Sequence, residues 1–253
     1  MAVEGRHQLD LLVGQVFQER LRQSERLAAL GRMSAGLAHE IRNPLHTMQL
    51  LVYAMQQDCP PQSPLRMDTD VLRKEIDRLS LLVEQCLDVA RPRAPAFTSQ
   101  KVHEIMEDTF LIVGAEAQRR GIHLRKHWSS ALPAVWVDGA QIKQVFLNVL
   151  LNALQAMEAG GAIDVFIHAD DTTIITMVQD QGAGIPEAVL GQLFTPFFST
   201  KPQGTGLGLS ISQRIIEGHG GSIRVTSQFG VGTSVHIVLP RKPVNDYAQD
   251  LAR

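Results

Sequence analysis

The feature of this sequence that most constrains its fold is a row of apolar and small residues with helical spacing. They recur at alternating steps of three and four: Leu30, Ser34, Leu37, Ile41, Pro44, Met48, Leu51 and Met55. This spacing predicts one apolar seam along a helix. Pro44 has no N–H to donate to the preceding turn, so we expect the helix to bend there. The seam must be covered by another helix.

Three polar residues lie beside this seam. His39 is two residues from Leu37, and at about 100° per residue its side chain faces away from the seam. Glu40 is its neighbour in sequence, and Asn43 lies one turn further on the same face. A single exposed histidine on a helix is usually a solvated surface residue, so His39 alone indicates no function.

A second helix is predicted to pair with the first. The first helix ends near Asp58, and the proline-rich residues 59–64 form a turn. Beyond it, the second helix reaches about Ala90 with unbroken heptad spacing at Leu72, Ile76, Leu79, Val83, Cys86 and Ala90. Two such helices form a hairpin whose core is too small to be stable alone. Two hairpins make a four-helix bundle, so we expect a homodimer.

The chain divides into five segments. Residues 1–24 are predicted to form a signalling coiled-coil helix, although a plain solvated coiled coil explains its pattern equally well. Residues 25–91 form the hairpin, and residues 92–95 are a proline-rich linker. Residues 96–240 form a second domain, and residues 241–253 are a polar tail.

The second domain has a mixed α and β pattern. Asp138 can cap a helix that ends at the glycines after Ala159. The remaining predicted elements are helices over 102–120 and 206–218 and strands over 122–126, 135–137, 163–168, 174–179, 223–227 and 234–239. The fold class is therefore α+β, a helical hairpin followed by an α/β sandwich.

Several residues of this domain suggest a polar ligand. Asn148 and Asn152 lie on one helix face among apolar neighbours, and buried amides are costly unless they are hydrogen-bonded. They could instead form a network within the core. Asp180, Gly182 and Gly184 follow a strand as Asp-x-Gly-x-Gly, where a carboxylate can accept a hydrogen bond from an amine and the glycines can let a base approach. Such a motif alone is more often a turn.

A glycine-rich turn precedes the last predicted helix. It consists of Gly204, Thr205, Gly206, Leu207 and Gly208, and the free N–H groups of a helix start can bind phosphates. Upstream, residues 194–198 hold three phenylalanines that could anchor a lid or form a small separate core.

Together these motifs are specific. The sequence His-Glu-Ile-Arg-Asn-Pro-Leu over residues 39–45 resembles the phosphoacceptor box of sensor histidine kinases. The asparagine pair, Asp-x-Gly-x-Gly, the phenylalanine-rich loop, Gly-x-Gly-x-Gly and a final Gly-Thr turn at 230–233 resemble the N, G1, F and G2 boxes of the GHKL ATPase superfamily. The lid at 197–201 is similar to that of the nitrogen-regulatory sensor kinases.

This resemblance implies a role for each matched residue. His39 would accept the γ-phosphoryl group of ATP, assisted by Glu40. Asn148 and Asn152 would hold Mg²⁺ and phosphate, and Asp180 the adenine. Lys201 and the turn over 204–208 would hold the phosphates. The phosphoryl group would then pass to an aspartate in the receiver domain of a response regulator. Glu40 and Asn43 match the Glu-x-x-Thr/Asn pattern of kinases that also dephosphorylate their regulators.

One residue separates two activities within the superfamily. The hydrolases carry a glutamate four residues before the magnesium-binding asparagine, where it activates water. This chain has Asn148 there, and an amide cannot take a proton. We therefore favour a kinase over an ATPase-driven clamp. A pseudokinase scaffold that signals by conformation is the other alternative, disfavoured by the intact boxes.

The composition excludes other classes. Of the 253 residues, 44% are hydrophobic and 20% charged, with a net charge of −2, which gives no reason to expect nucleic-acid binding. Cys59 and Cys86 lack metal-ligand spacing and predict no disulfide framework. No apolar run approaches the roughly 18–20 residues of a membrane span, and residues 1–10 lack a signal-peptide pattern. We expect a cytoplasmic chain that receives its signal from a partner or an upstream sensor module.

Overall fold

The structure, a computed structural model, describes most of the chain. It divides into two compact units, Met1–Arg93 and Ala94–Arg253, each described here by itself. The described residues are 41, 43–57, 59–60, 63–90, 94–158, 160–201 and 204–242. His39 and Glu40 lie outside them, as do the predicted N-terminal coiled coil and the end of the tail.

The first unit is the predicted helical hairpin. Helix α1 covers residues 43–57, and helix α2 covers Pro64–Ala90. Pro64 opens α2, where its missing N–H costs nothing. Leu45, Val52 and Ile76 form a buried apolar cluster between the helices. Two side-chain pairs link the helices as well, Gln49 to Asp77 and Gln56 to Asp70.

The hairpin leaves much of its apolar surface exposed within one protomer. Leu45 and Val52, one heptad apart, are buried inside the hairpin. Four residues of the predicted seam of the first helix are instead exposed: Ile41, Met48, Leu51 and Met55. On α2, Leu72 and Leu79 are exposed and Ile76 is buried. The predicted α2 seam is therefore divided between two interfaces. Ile76 packs inside the protomer, and Leu72 and Leu79 remain available to a second copy.

The second unit contains one five-stranded sheet and one two-stranded sheet. The strands are β1 (Thr98–Gln100), β2 (His123–His127), β3 (Val135–Val137), β4 (Ala162–Ala169), β5 (Thr173–Asp180), β6 (Ser222–Gln228) and β7 (Gly232–Pro240). The larger sheet has the order β2-β4-β5-β7-β6, antiparallel except for the parallel pair β2 and β4. Strands β1 and β3 pair antiparallel.

Four helices complete the second unit: α3 (Val102–Arg119), α4 (Gly139–Ala156), α5 (Glu187–Leu190) and α6 (Gly208–Gly218). The alternating buried residues of β4, β5 and β7 pack against apolar residues of α3, α4 and α6 in one core. This arrangement confirms the predicted two-layer α/β sandwich. Among the described residues, no helix is long and apolar enough to span a membrane.

Most predicted elements lie within one to three residues of the observed ones. Asp138 caps α4 as predicted, because its Oδ1 accepts hydrogen bonds from the N–H groups of Ala140 and Gln141. Helix α4 ends at Ala156, before the predicted Ala159, and α6 begins at Gly208 instead of residue 206. The short elements β1 and α5 were not predicted.

Candidate functional site

Asn148 joins the two helices that carry most of the candidate residues. Its Nδ2 lies 3.3 Å from the carbonyl oxygen of Gly208 and 3.4 Å from Oγ of Ser212. Both partners lie in the first turns of α6, directly after the glycine-rich turn. The amide nitrogen therefore holds the start of α6 against α4, and its Oδ1 accepts no hydrogen bond from any described residue.

Asn152 lies one turn further along α4. Its side chain is half-buried, and it makes no hydrogen bond to the described part of the chain. A half-buried amide without a protein partner loses hydrogen bonds to water, and a polar ligand would restore them. The alternative of a core network fits Asn148, which has protein partners, and does not fit Asn152.

Asp180 ends β5 and is 7% exposed. Its Oδ1 accepts hydrogen bonds from the backbone N–H of Gly182 at 2.8 Å and of Thr233 at 3.2 Å. Burial raises the pKa of this carboxyl, and its effect exceeds the lowering by these two hydrogen bonds and by the charge of Lys201. Both hydrogen bonds use one oxygen, so Oδ2 is available to a donor from a ligand.

The glycines after Asp180 are required by the protein's own backbone. A Cβ atom on Gly182 would lie 2.7 Å from the carbonyl oxygen of Ala156, at the end of α4. Gly184 has a φ of +67°, and a Cβ there would collide with the carbonyl of Gln228. These contacts hold the loop against α4 and the β6–β7 turn. That the glycines also let the chain approach a base stays a prediction.

The glycine-rich turn is joined to the phenylalanine-rich loop. Phe197 donates its N–H to the carbonyl of Gly206 at 3.0 Å and has a φ of +66°. Gly206 also has a positive φ, and a Cβ there would collide with the carbonyl carbon of Phe197. Phe194 packs against the main core, while Phe197 is 57% exposed. One phenylalanine therefore anchors the loop, which does not form a separate core.

Lys201 extends from this loop to α4. Its Nζ donates a hydrogen bond to Oε1 of Gln155 at 2.9 Å. Burial lowers the pKa of the ammonium, while the charge of Asp180 raises it. Gln155 is one turn beyond Asn152, so the lysine, both asparagines and Asp180 border one region of the second unit. Lys201 supplies a cation that suits phosphates. Asp180 supplies a carboxylate oxygen with no partner among the described residues, which suits an amine.

Sequence reasoning missed partners of these residues. Ser212 and Gln155 belong to ordinary helical patterns, so no motif distinguishes them. Thr233 lies in the predicted Gly-Thr turn, but it contacts Asp180 through its backbone N–H, which the motif did not predict. In the first unit, Asn43 is exposed on α1 and its side chain contacts no described residue by a hydrogen bond, while its carbonyl accepts one from Thr47 Oγ1 at 3.0 Å.

Two family models match the chain. Residues 29–95 match the His Kinase A (phospho-acceptor) domain. Residues 137–243 match the histidine kinase-, DNA gyrase B- and HSP90-like ATPase domain. The chain belongs to the sensor histidine kinases of two-component systems. Its second unit is the ATP-binding domain of that family, with strands β4 to β7 and helices α4 and α6 inside the matched range and the edge strand β2 before it.

Curated relatives extend over most of this sensor kinase. The chain is 36% identical over 226 residues to the sensor histidine kinase ZraS of Escherichia coli. The matched region covers 89% of the chain and 49% of ZraS. It is 36% identical to sporulation kinase E of Bacillus subtilis, with 88% of the chain and 30% of that kinase covered. The chain therefore spans half or less of the length of these relatives.

Solved structures agree with this assignment. Full-length ShkA in complex with AMPPNP is 26% identical, with a TM-score of 0.73 over 83% of this kinase chain and 45% of ShkA. The catalytic domain of histidine kinase ThkA is 31% identical, with a TM-score of 0.55, and the match covers 58% of this chain and 97% of that domain.

Proposed function

We propose that this protein is an ATP-dependent histidine kinase that phosphorylates His39. The observation that carries the proposal is the asparagine pair on α4. Asn148 holds the start of α6, where the glycine-rich turn ends, and Asn152, one turn away, has no hydrogen-bond partner among the described residues. Neither amide can deprotonate water, so this pair supplies no general base for hydrolysis.

The nucleotide is bound by residues from both ends of the site. Oδ2 of Asp180 accepts a hydrogen bond from the exocyclic amine of adenine. Lys201 and the N–H groups of the turn over 204–208 bind the phosphates, as the start of a helix favours anions. Amide oxygens are suitable ligands for Mg²⁺, so Oδ1 of Asn148 and of Asn152 would hold it. Mg²⁺ supplies charge neutralisation on the phosphates.

His39 is the nucleophile. Its Nε2 forms the new bond to the γ-phosphorus as the bond from phosphorus to the bridging oxygen breaks, and ADP leaves with that electron pair. The ring becomes positively charged. Glu40 accepts a hydrogen bond from the Nδ1–H and offsets that charge. The phosphoryl group then passes to an aspartate of a receiver domain. ThkA, 28% identical to this chain, has been solved with its response regulator TrrA.

The kinase acts as a homodimer. The exposed apolar residues of the hairpin, among them Leu51, Leu72 and Leu79, are the surface that a second hairpin would cover. A signal reaches it through an upstream sensor module or through a partner protein that contacts the N-terminal residues 1–24.

Incubation with γ-labelled ATP and Mg²⁺ tests this proposal against its alternatives. A kinase incorporates acid-labile label into the protein and releases little free phosphate. A signalling scaffold incorporates no label. A clamp ATPase releases phosphate steadily without labelling the protein, and either of the last two results would refute the proposal.

Asn43 supports a second activity, dephosphorylation of the regulator. The residue is exposed one turn from His39, and its side chain is not engaged by any described residue. Its amide can orient a water molecule toward a phosphoaspartate docked over this helix face, where the acyl phosphate is already activated. An asparagine that served only the backbone before Pro44 would instead have its amide engaged there.

Asn43→Ala tests this activity. Autophosphorylation should stay within a few-fold of wild type, because the nucleophile and the nucleotide site are intact. Dephosphorylation of the phosphorylated regulator, followed with ADP present, should slow by at least about tenfold. The exposed Gln57→Ala serves as a control on the same helix. Equal rates of label loss with wild type and Asn43→Ala would exclude the role of Asn43 and leave the kinase activity standing.

A further inference from the structure

His219 is a buried histidine that none of the proposed steps uses. It follows α6 directly and is 3% exposed. Its Nδ1 lies 2.7 Å from the carbonyl oxygen of Ile215, in the last turn of α6. Its Nε2 lies 3.0 Å from the backbone nitrogen of Asp138. A carbonyl can only accept and a backbone N–H can only donate, so the ring is neutral with its proton on Nδ1.

Asp138 makes this contact a junction of three segments. Its side chain caps α4 through Oδ1, and its Oδ2 accepts a hydrogen bond from the N–H of Ala96 at 3.0 Å. The ring of Phe97 packs edge-on against the imidazole, with centroids 5.1 Å apart. The end of α6, the start of α4 and the chain directly after the linker therefore meet at His219.

Helices α4 and α6 are joined a second time, at the other end of α6. There Asn148 binds Gly208 and Ser212. Asn148 follows Asp138 by ten residues, about 15 Å of helix, and His219 follows Gly208 by eleven, about 16 Å. The two spans match, so the two contacts fix the position of antiparallel α6 along α4.

We propose that His219 is a positioning residue for the nucleotide site. Through Asp138 it sets how far α6 extends along α4, and so where the glycine-rich turn lies relative to Asn148 and Asn152. Residues 96 and 97 act on the same junction, so a displacement of the chain after the linker reaches the phosphate-binding end of α6. This inference rests on the proposed binding of ATP to that site.

Two variants with amide side chains of different length test the proposal. Both His219→Asn and His219→Gln can donate to the carbonyl of Ile215 or accept from a backbone N–H. Glutamine reaches as far as Nε2, and asparagine is too short to reach the N–H of Asp138. The dissociation constant of the full chain for AMPPNP with Mg²⁺ is measured by calorimetry, together with the melting temperature. Val113→Ala on α3, buried and away from this junction, controls for a general loss of stability.

The asparagine variant should bind AMPPNP at least about tenfold more weakly, as expected when site groups are misplaced by about an ångström. The glutamine variant should stay within about threefold of wild type, and Val113→Ala should bind normally despite a lower melting temperature. Phe97→Ala, a half-buried position, should weaken binding about threefold in a folded protein. Wild-type affinity in both the asparagine and Phe97 variants would overturn the inference. A wild-type protein that binds no AMPPNP would instead refute the proposed function.

Discussion

In the proposed site, Asp180 combines a structural and a binding role in one carboxyl group. Oδ1 joins β5 to the following loop and to β7, through the N–H groups of Gly182 and Thr233. Oδ2 is the oxygen that we propose to bind the adenine amine. Burial raises the pKa of this carboxyl above the ordinary aspartate value of about 3.9. The group therefore loses its charge at a higher pH than an exposed aspartate does.

The affinity of Asp180→Asn for ATP should depend on pH relative to wild type. A hydrogen bond to a carboxylate is stronger than one to a neutral amide by about 1 kcal/mol, so the variant should bind about fivefold more weakly at pH 7.5. As the pH falls through the raised pKa of Asp180, wild type loses its charge and the ratio of the two dissociation constants should approach one. Protonation of ATP itself affects both proteins and cancels in the ratio.

The control for this comparison is Asp171→Asn, at an exposed turn between β4 and β5. The ratio of its dissociation constant for ATP to that of wild type should be one at every pH. A ratio of one for Asp180→Asn already at pH 7.5 would show that the carboxylate does not bind the nucleotide.

Motifs identified the candidate ligand-binding residues and missed the residues that hold them. Asn148, Asn152 and Asp180 stand out because polar groups interrupt apolar patterns. The contacts of His219 with Asp138 and of Lys201 with Gln155 join residues 81 and 46 positions apart. Local sequence carries no signal for such pairs, because they depend on how the helices pack.

The hairpin shows how one heptad pattern can serve two interfaces. Ile76 packs against Leu45 and Val52 within the protomer, whereas Leu72 is 51% exposed and belongs to the surface available for a second hairpin. The predicted seam located these helices but did not separate the two interfaces, because both fall on apolar positions of the same heptads.

Lysine substitutions at these two positions should therefore have different effects. Ile76→Lys removes about 1.5–3 kcal/mol of burial per side chain and places a charge inside each hairpin, so it should reduce helical circular dichroism. Leu72→Lys should preserve helicity and shift the protein toward monomer in sedimentation velocity. Asp68→Lys, an exposed polar position on α2, is the control for added charge. A Leu72→Lys protein that remains dimeric at micromolar concentration would contradict the assignment of this surface.

The short elements β1 and α5 escaped prediction for physical reasons. Strand β1 is Thr-Ser-Gln, with no apolar alternation, and exists because it pairs with β3 and lies beside the Asp138 junction. Helix α5 has four residues and none of them is buried, so no periodicity could reveal it. The longer elements of the sheet and core were predictable because their buried faces repeat with the period of a strand or a helix.

At the scale of the whole molecule, the proposed reaction uses a phosphate acceptor and a nucleotide site that belong to different units of the chain. The acceptor residue belongs to the hairpin unit, and the asparagine pair, Asp180 and Lys201 belong to the sandwich unit. The proposed reaction therefore requires both units, and loss of the acceptor should leave nucleotide binding unchanged. This separation makes the acceptor residue the most informative single change in the chain.

The decisive measurement is the site of acid-labile label after incubation with γ-labelled ATP, in wild type, His39→Ala and His46→Ala. His46 is an exposed histidine one heptad beyond His39 on the same helical pattern, and so is a matched control. Wild type and His46→Ala should be labelled at His39 by mass spectrometry under alkaline conditions. His39→Ala should bind ATP with wild-type affinity and take up no label. Label at wild-type level in His39→Ala would contradict the assignment of His39 as the phosphoacceptor.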